Sequence, residues 1–220
     1  MDKYIQSSPY AYCDGNPLKY VDPEGSFVTV TANEDGTYTT YSGELDGDLN
    51  VYVVDKDGYR TGEVIGQTLT PYTFFDNNEN FIVGAKINLL DESGQEFLNH
   101  VTIDYPDPIS YALQALPNGD YDFKNIGYEV PMSKTIYHYR AMPINLFDGN
   151  GTKIATARDI GNFAAGFIAG REGVTWENTR KMFDLVQGKF IRFCPEPNVS
   201  TSAQRAGYDL GFKWFGQYMK

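Results

Sequence analysis

The chain has 220 residues, 41% of them hydrophobic and 15% aromatic, which excludes a disordered composition and provides for one sizeable domain or two small ones with a packed core. The net charge of −11 is unevenly spread: residues 1–120 hold 5 basic and 20 acidic side chains, residues 121–220 hold 13 basic and 9 acidic ones. The acidic half repels phosphate, while the basic half is free to meet it, although solubility alone also accounts for an acidic strand-rich segment.

The opening residues, MDKYIQSSPY, carry charges and no apolar signal-peptide core. Residues 7–25 are a string of turns. Asn16-Pro17 and Asp22-Pro23 push the residue before each proline out of the helical region, and Gly25 can adopt positive φ. Residues 26–104 are expected as strands: 27–31 and 38–41 flank an Asp35-Gly36 hairpin turn, and 51–54 meets 59–61 across Asp55-Lys56-Asp57-Gly58. Further strands are expected at 63–67, 71–75, 81–90 and 97–104. The Asp55-x-Asp57-Gly58 run is not a calcium loop, because an EF-hand would need its bidentate glutamate where Val64 stands.

From residue 150 the pattern turns helical. Helices are predicted over 152–170, from Thr175 as N-cap to a Gly188 stop, and after Pro197 with Ser202 as N-cap. Strands first and three helices last make an α+β chain. The longest apolar run, Ile160 to Gly170, is about half of the ~20 residues that a membrane span requires, so no membrane partner is expected.

On a helical wheel Ile160, Phe163, Ala164 and Phe167 form the core-facing stripe. The adjoining sector carries Asp159, Asn162, Gly166 and Gly170, with Arg158 at its margin. Glycine inside a helix costs about 1 kcal/mol against alanine. Gly161 and Gly166 therefore call for close backbone approach, with Gly207 and Gly211 as partners. Asp159 and Asn162 then either bond a neighbouring element or form a polar site beside a tight helix crossing.

Titratable candidates are few. Placed on one strand, His138 and Arg140 share a face at period two, as do Asp122 and Lys124. A general acid–base group beside a cation is the minimum for metal-independent cleavage of a phosphodiester. The competing readings make His138 a satisfied or exposed strand histidine and Asp122 with Lys124 a solvated strand face. A strand at 136–140 packed on the helix through Ile160 and Phe163 would bring His138 and Arg140 to the same cleft as Asp159 and Asn162. With two histidines and two distant cysteines, Cys13 and Cys194, no metal site or cofactor is expected.

Tyr10, Tyr12, Asn16, Pro17, Tyr20, Asp22, Pro23 and Gly25 match, in order and spacing, the closing signature of the Rhs repeat-associated core. The chain thus resembles the end of an Rhs-type polymorphic toxin, with Ser26 where self-cleaving members carry leucine. Asp159-x-x-Asn162-x-x-x-Gly166-x-x-x-Gly170 followed by Ser202 to Gly207 is similar to the bacterial toxin 44 family, in which Phe163 replaces a frequent histidine. These resemblances imply a remnant of the shell at 1–25, a β-rich segment at 26–110 and an effector domain at 111–220. They further imply a secreted or surface-borne parent protein, a ribonuclease acting on RNA in a competing cell's cytoplasm, and a cognate immunity protein. A non-catalytic module folded against the Rhs shell, or a toxin of other chemistry, are the rival implications.

Overall fold

A computed structural model describes residues 27–129, 133–146, 151–187 and 195–218. Strands β1 (Val28–Ala32) and β2 (Tyr38–Gly43) pair antiparallel across the Asp35-Gly36 turn, where Gly36 takes φ 78°. β3 (Asn50–Val54) runs parallel to β1 and antiparallel to β4 (Arg60–Gln67). The intervening Asp55 accepts hydrogen bonds from the backbone of Asp57 and Tyr59, and Gly58 closes the turn at φ 83°. Both hairpins were legible from their Asp-Gly and Asp-x-Asp-Gly turns, which supply the positive φ that such loops need.

The short β5 (Lys86–Ile87) joins β2 to β6 (Ala141–Asn145), which pairs antiparallel with β7 (Thr152–Thr156). The result is one seven-stranded mixed sheet in the order β4-β3-β1-β2-β5-β6-β7, with strands from both sides of residue 110. Its ends meet where Thr68 bridges Ile154, so the sheet curls back on itself. Val30, Val51, Phe74, Ile87, Ala141 and Ile154 fill the inside. Their neighbours Met142, Ile144 and Ala155 face the opposite way, towards the helices. Alternate side chains of a strand point to opposite faces, so Ala141 to Ile144 of β6 and Ile154-Ala155 of β7 are apolar on both faces, while β7 opens with the polar Thr152 and Lys153.

Among the described residues six α-helices follow or interrupt the sheet: α1 (Ser93–Asp104), α2 (Pro108–Gln114), the short α3 (Lys134–His138), α4 (Ala157–Arg171), α5 (Trp176–Gln187) and α6 (Asn198–Tyr218). The α+β architecture, strand-rich first and with three helices last, is as the sequence implies. Ile160, Phe163, Ala164 and Phe167 are buried as the wheel requires. Gly166 and Gly170 lie against the backbone of Gln204 and Tyr208 in α6, while Gly207 and Gly211 lie against the backbone of Phe163 and Phe167 in α4. A methyl group at any of the four would overlap main-chain atoms, so α4 and α6 touch along their backbones.

Several boundaries differ from expectation. Residues 97–104 belong to helix α1, because Phe97, Leu98 and Val101 recur at helical spacing and seat on the α4 core. His100 is consequently a helical residue, paired with Asp104 one turn on. Residues 71–74 are turns, Phe75 and Phe81 form only an isolated antiparallel bridge, and of 81–90 only Lys86–Ile87 pair as a strand. Residues 152–156 form β7, and Thr156 caps α4 by accepting from the Asp159 backbone. Thr175 does serve at the start of α5, accepting from the Asn178 backbone. Ser202 lies inside α6, which begins four residues earlier, directly after Pro197. The turn-rich 7–25 segment, Cys13, Cys194 and the Gly188 stop lie outside the described residues.

Candidate functional site

A cavity of about 380 Å³ opens between α2, the turn after it, α4 and α6. α2 is set by Asp107, whose carboxylate accepts from the Ile109 and Ser110 backbone, with Pro108 in the first helical position. That places Tyr111 so that its hydroxyl donates to the Gly161 carbonyl of α4 at 2.9 Å. A 3₁₀ turn, Phe123–Asn125, then carries Asp122 and Lys124 onto the cavity wall. Opposite them stand Gly161 and Asn162 of α4, Gln204 of α6, and Glu196 just before it. Tyr111, Phe123, Ala165, Phe183 and Val186 supply apolar surface.

Asp122 is 3% exposed. Its Oδ2 accepts from Asn125 Nδ2 at 2.6 Å and from the Asn118 backbone at 3.2 Å, while Oδ1 is buried without a hydrogen-bond partner. A buried carboxylate oxygen left unsatisfied is costly and calls for an explanation; Asp159 Oδ2 is a second such oxygen, set against Arg158 rather than on the cavity. Asn125 is held in turn by His138, whose Nε2 lies 2.8 Å from Asn125 Oδ1. Burial, with Lys124, Lys134 and Arg140 nearby and only Asp122 opposing, holds the imidazole down to about 4, so it is neutral at pH 7. His138 therefore orients Asn125, and Asn125 orients Asp122.

The opposite wall is a second network. Arg180 donates to Glu196 Oε2 at 3.0 Å, to Asp184 Oδ1 at 2.6 Å and to Gln204 Oε1. Gln204 Nε2 donates to Glu196 Oε2 at 2.7 Å and to Asn162 Oδ1 at 3.3 Å.

The expected convergence on Asp159 is corrected. His138 ends the short helix α3 and Arg140 stands just before β6, so the two share no strand face. The Arg140 guanidinium is spent on the carbonyls of Phe123, Lys124, Ile126 and Tyr137, which clamps the 3₁₀ turn. Asp159 is wholly buried; burial pushes its carboxyl up against the opposing charge of Arg158, whose Nη2 is 3.1 Å away. Arg158 also reaches the carbonyls of Phe75 and Tyr72 and the Tyr139 hydroxyl. It touches the cavity, but its Nη donors are spent on Tyr72, Phe75, Tyr139 and Asp159. Arg158, Asp159 and Arg140 thus anchor elements, whereas Asp122, Lys124 and Asn162 face the cavity.

Asn125, Glu196 and Arg180 were missed because they come from three separate segments with no shared spacing. Asp122-x-x-Asn125 was the available hint, since an Asp and an Asn three apart readily bond across a turn. Among the described residues no group of three His, Cys, Asp or Glu could hold a metal ion, and no helix is long and apolar enough to cross a membrane. No protein-family model, curated protein or solved structure matches this chain.

Proposed function

We propose that the chain is the carboxy-terminal effector of an Rhs-type polymorphic toxin and that its cleft cleaves RNA. The observation that carries this reading is a cavity lined by both Asp122, whose buried Oδ1 has no hydrogen-bond partner, and Lys124. In the proposed reaction the Asp122 carboxylate, uncovered as the substrate enters the cleft, takes the proton of a ribose 2′-hydroxyl. The 2′-oxygen attacks the adjacent phosphorus and the bond from phosphorus to the 5′-oxygen breaks. The Lys124 ammonium stabilises the negative phosphorane and returns a proton to the leaving oxygen. The products are a 2′,3′-cyclic phosphate and a 5′-hydroxyl, so atoms and charge balance without a redox partner. The Asn125–His138 pair keeps Asp122 in its attacking orientation.

The basic balance of residues 121–220 supports a phosphate-bearing substrate, and the resemblance of residues 10–25 to an Rhs core end supports export on a larger shell protein. An acidic immunity protein in the producing cell would cover the Lys124 side of the cleft, with affinity falling as salt rises. Purified chain incubated with bacterial RNA should yield cyclic-phosphate ends, and Asp122→Asn should lower the rate by at least about a hundredfold. If Asp122→Asn cleaves RNA like the parent chain, or the parent chain leaves all RNA intact, the reading is wrong.

A further inference from the structure

Resting on that reading of the cleft, we infer that the wall built from Gly161 and Asn162 is a pocket for a single nucleobase, drawn out of its strand. The argument starts from hydrogen-bond direction. Arg180 has only donors, so the Gln204 oxygen must face it, and the Gln204 amide nitrogen must face Glu196 and Asn162. Asn162 is then held with its oxygen towards Gln204. Its Nδ2 donors make no hydrogen bond among the described residues, so the pocket presents an N–H pair to an acceptor such as a base carbonyl or ring nitrogen.

Gly161 supplies the room. Unlike the four glycines packed between α4 and α6, a methyl group here would meet nothing within 4 Å. Helix packing therefore does not account for a glycine at this interior position, and the space beside it belongs to the cavity. Tyr111, Ala165 and Phe183 line the same recess with apolar surface suited to the faces of a planar ring. A volume of about 380 Å³ takes one nucleotide and excludes a stacked helix.

The test titrates the intact chain with the four ribonucleoside 5′-monophosphates and with ribose 5-phosphate, followed by calorimetry. At least one nucleotide should bind, ribose 5-phosphate should bind at least tenfold more weakly, and Gly161→Ala and Asn162→Ala should each weaken the nucleotide about tenfold or more. Both substitutions favour helix, so the fold is retained. Failure of every nucleotide to bind, equal binding of ribose 5-phosphate, or unchanged affinity in both variants overturns the pocket. RNA cleavage that persisted in that case would leave the catalytic reading standing. Nucleotide binding by a chain that leaves RNA intact would sustain the pocket and defeat the catalytic reading instead.

Discussion

Within α4, Gly166 and Gly170 press against the backbone of α6, whereas Gly161, little more than a turn earlier, borders open space at the cleft. The same helix therefore carries glycine for two reasons. At the α6 contact the missing side chain lets two backbones meet, and the packing offsets the conformational cost. At the cleft nothing in the fold offsets it, and a local departure from helix preference without a packing return is where function is to be sought.

The largest stability effect should come from the buried anchor between these two stretches and the sheet. Arg158→Ala leaves the fully buried Asp159 without its partner charge and should cost about 3–5 kcal/mol, read from urea unfolding. A loss under about 1 kcal/mol would mean that Asp159 is neutral and needs no cation. Gly166→Ala should follow at about 3 kcal/mol, because its methyl group collides with the Gln204 backbone and forces α4 and α6 apart. Neutral behaviour there would erase the contrast between the two kinds of glycine.

A third effect is visible in pH. The imidazole of His138 is held down to about 4 in the fold, below its ordinary value of 6.5. Between pH 6.5 and 4 the unfolded chain binds a proton that the folded chain refuses, so stability is full above about pH 6.5 and declines as pH falls through that window. Allowing for solvent screening, the decline attributable to this group is about 1–2 kcal/mol. His138→Gln, which retains a polar partner for Asn125, should flatten the curve there. An unchanged slope would remove His138 from the account of Asp122. The smallest effect has the opposite sign: Gly161→Ala should stabilise the chain by about 0.5–1 kcal/mol, since the methyl group enters open space in a helix interior. Destabilisation would place an unseen contact at the cleft.

How much of this was legible beforehand follows from how local each signal is. The hairpins at Gly36 and Gly58 and the start of α5 at Thr175 were readable, because turn and cap chemistry acts within four residues. The α4 stripe and its glycine partners on α6 were readable from the helical period. Helix α1 was not, since its aromatic and β-branched residues also suit a strand and only its seat on Ile160 and its neighbours decides the matter. Of the site, Asp122 and Lys124 were singled out as one pair, and Asn162 separately with Asp159. Asp159 and Arg140 attracted attention as charges and proved to be struts, the first buried and the second half-buried. The cleft depends on Asn125, Glu196 and Gln204 folding together from distant segments, and no window of sequence contains that arrangement.

The most direct test of the central claim is single-turnover cleavage of a defined RNA by the parent chain and by Asp122→Asn, with product ends identified by mass. Cyclic-phosphate ends from the parent chain, and a rate lower by at least about a hundredfold in the variant at unchanged stability, are the predicted result. Equal rates from the two proteins, or no cleavage by the parent chain, would contradict the assignment of the cleft.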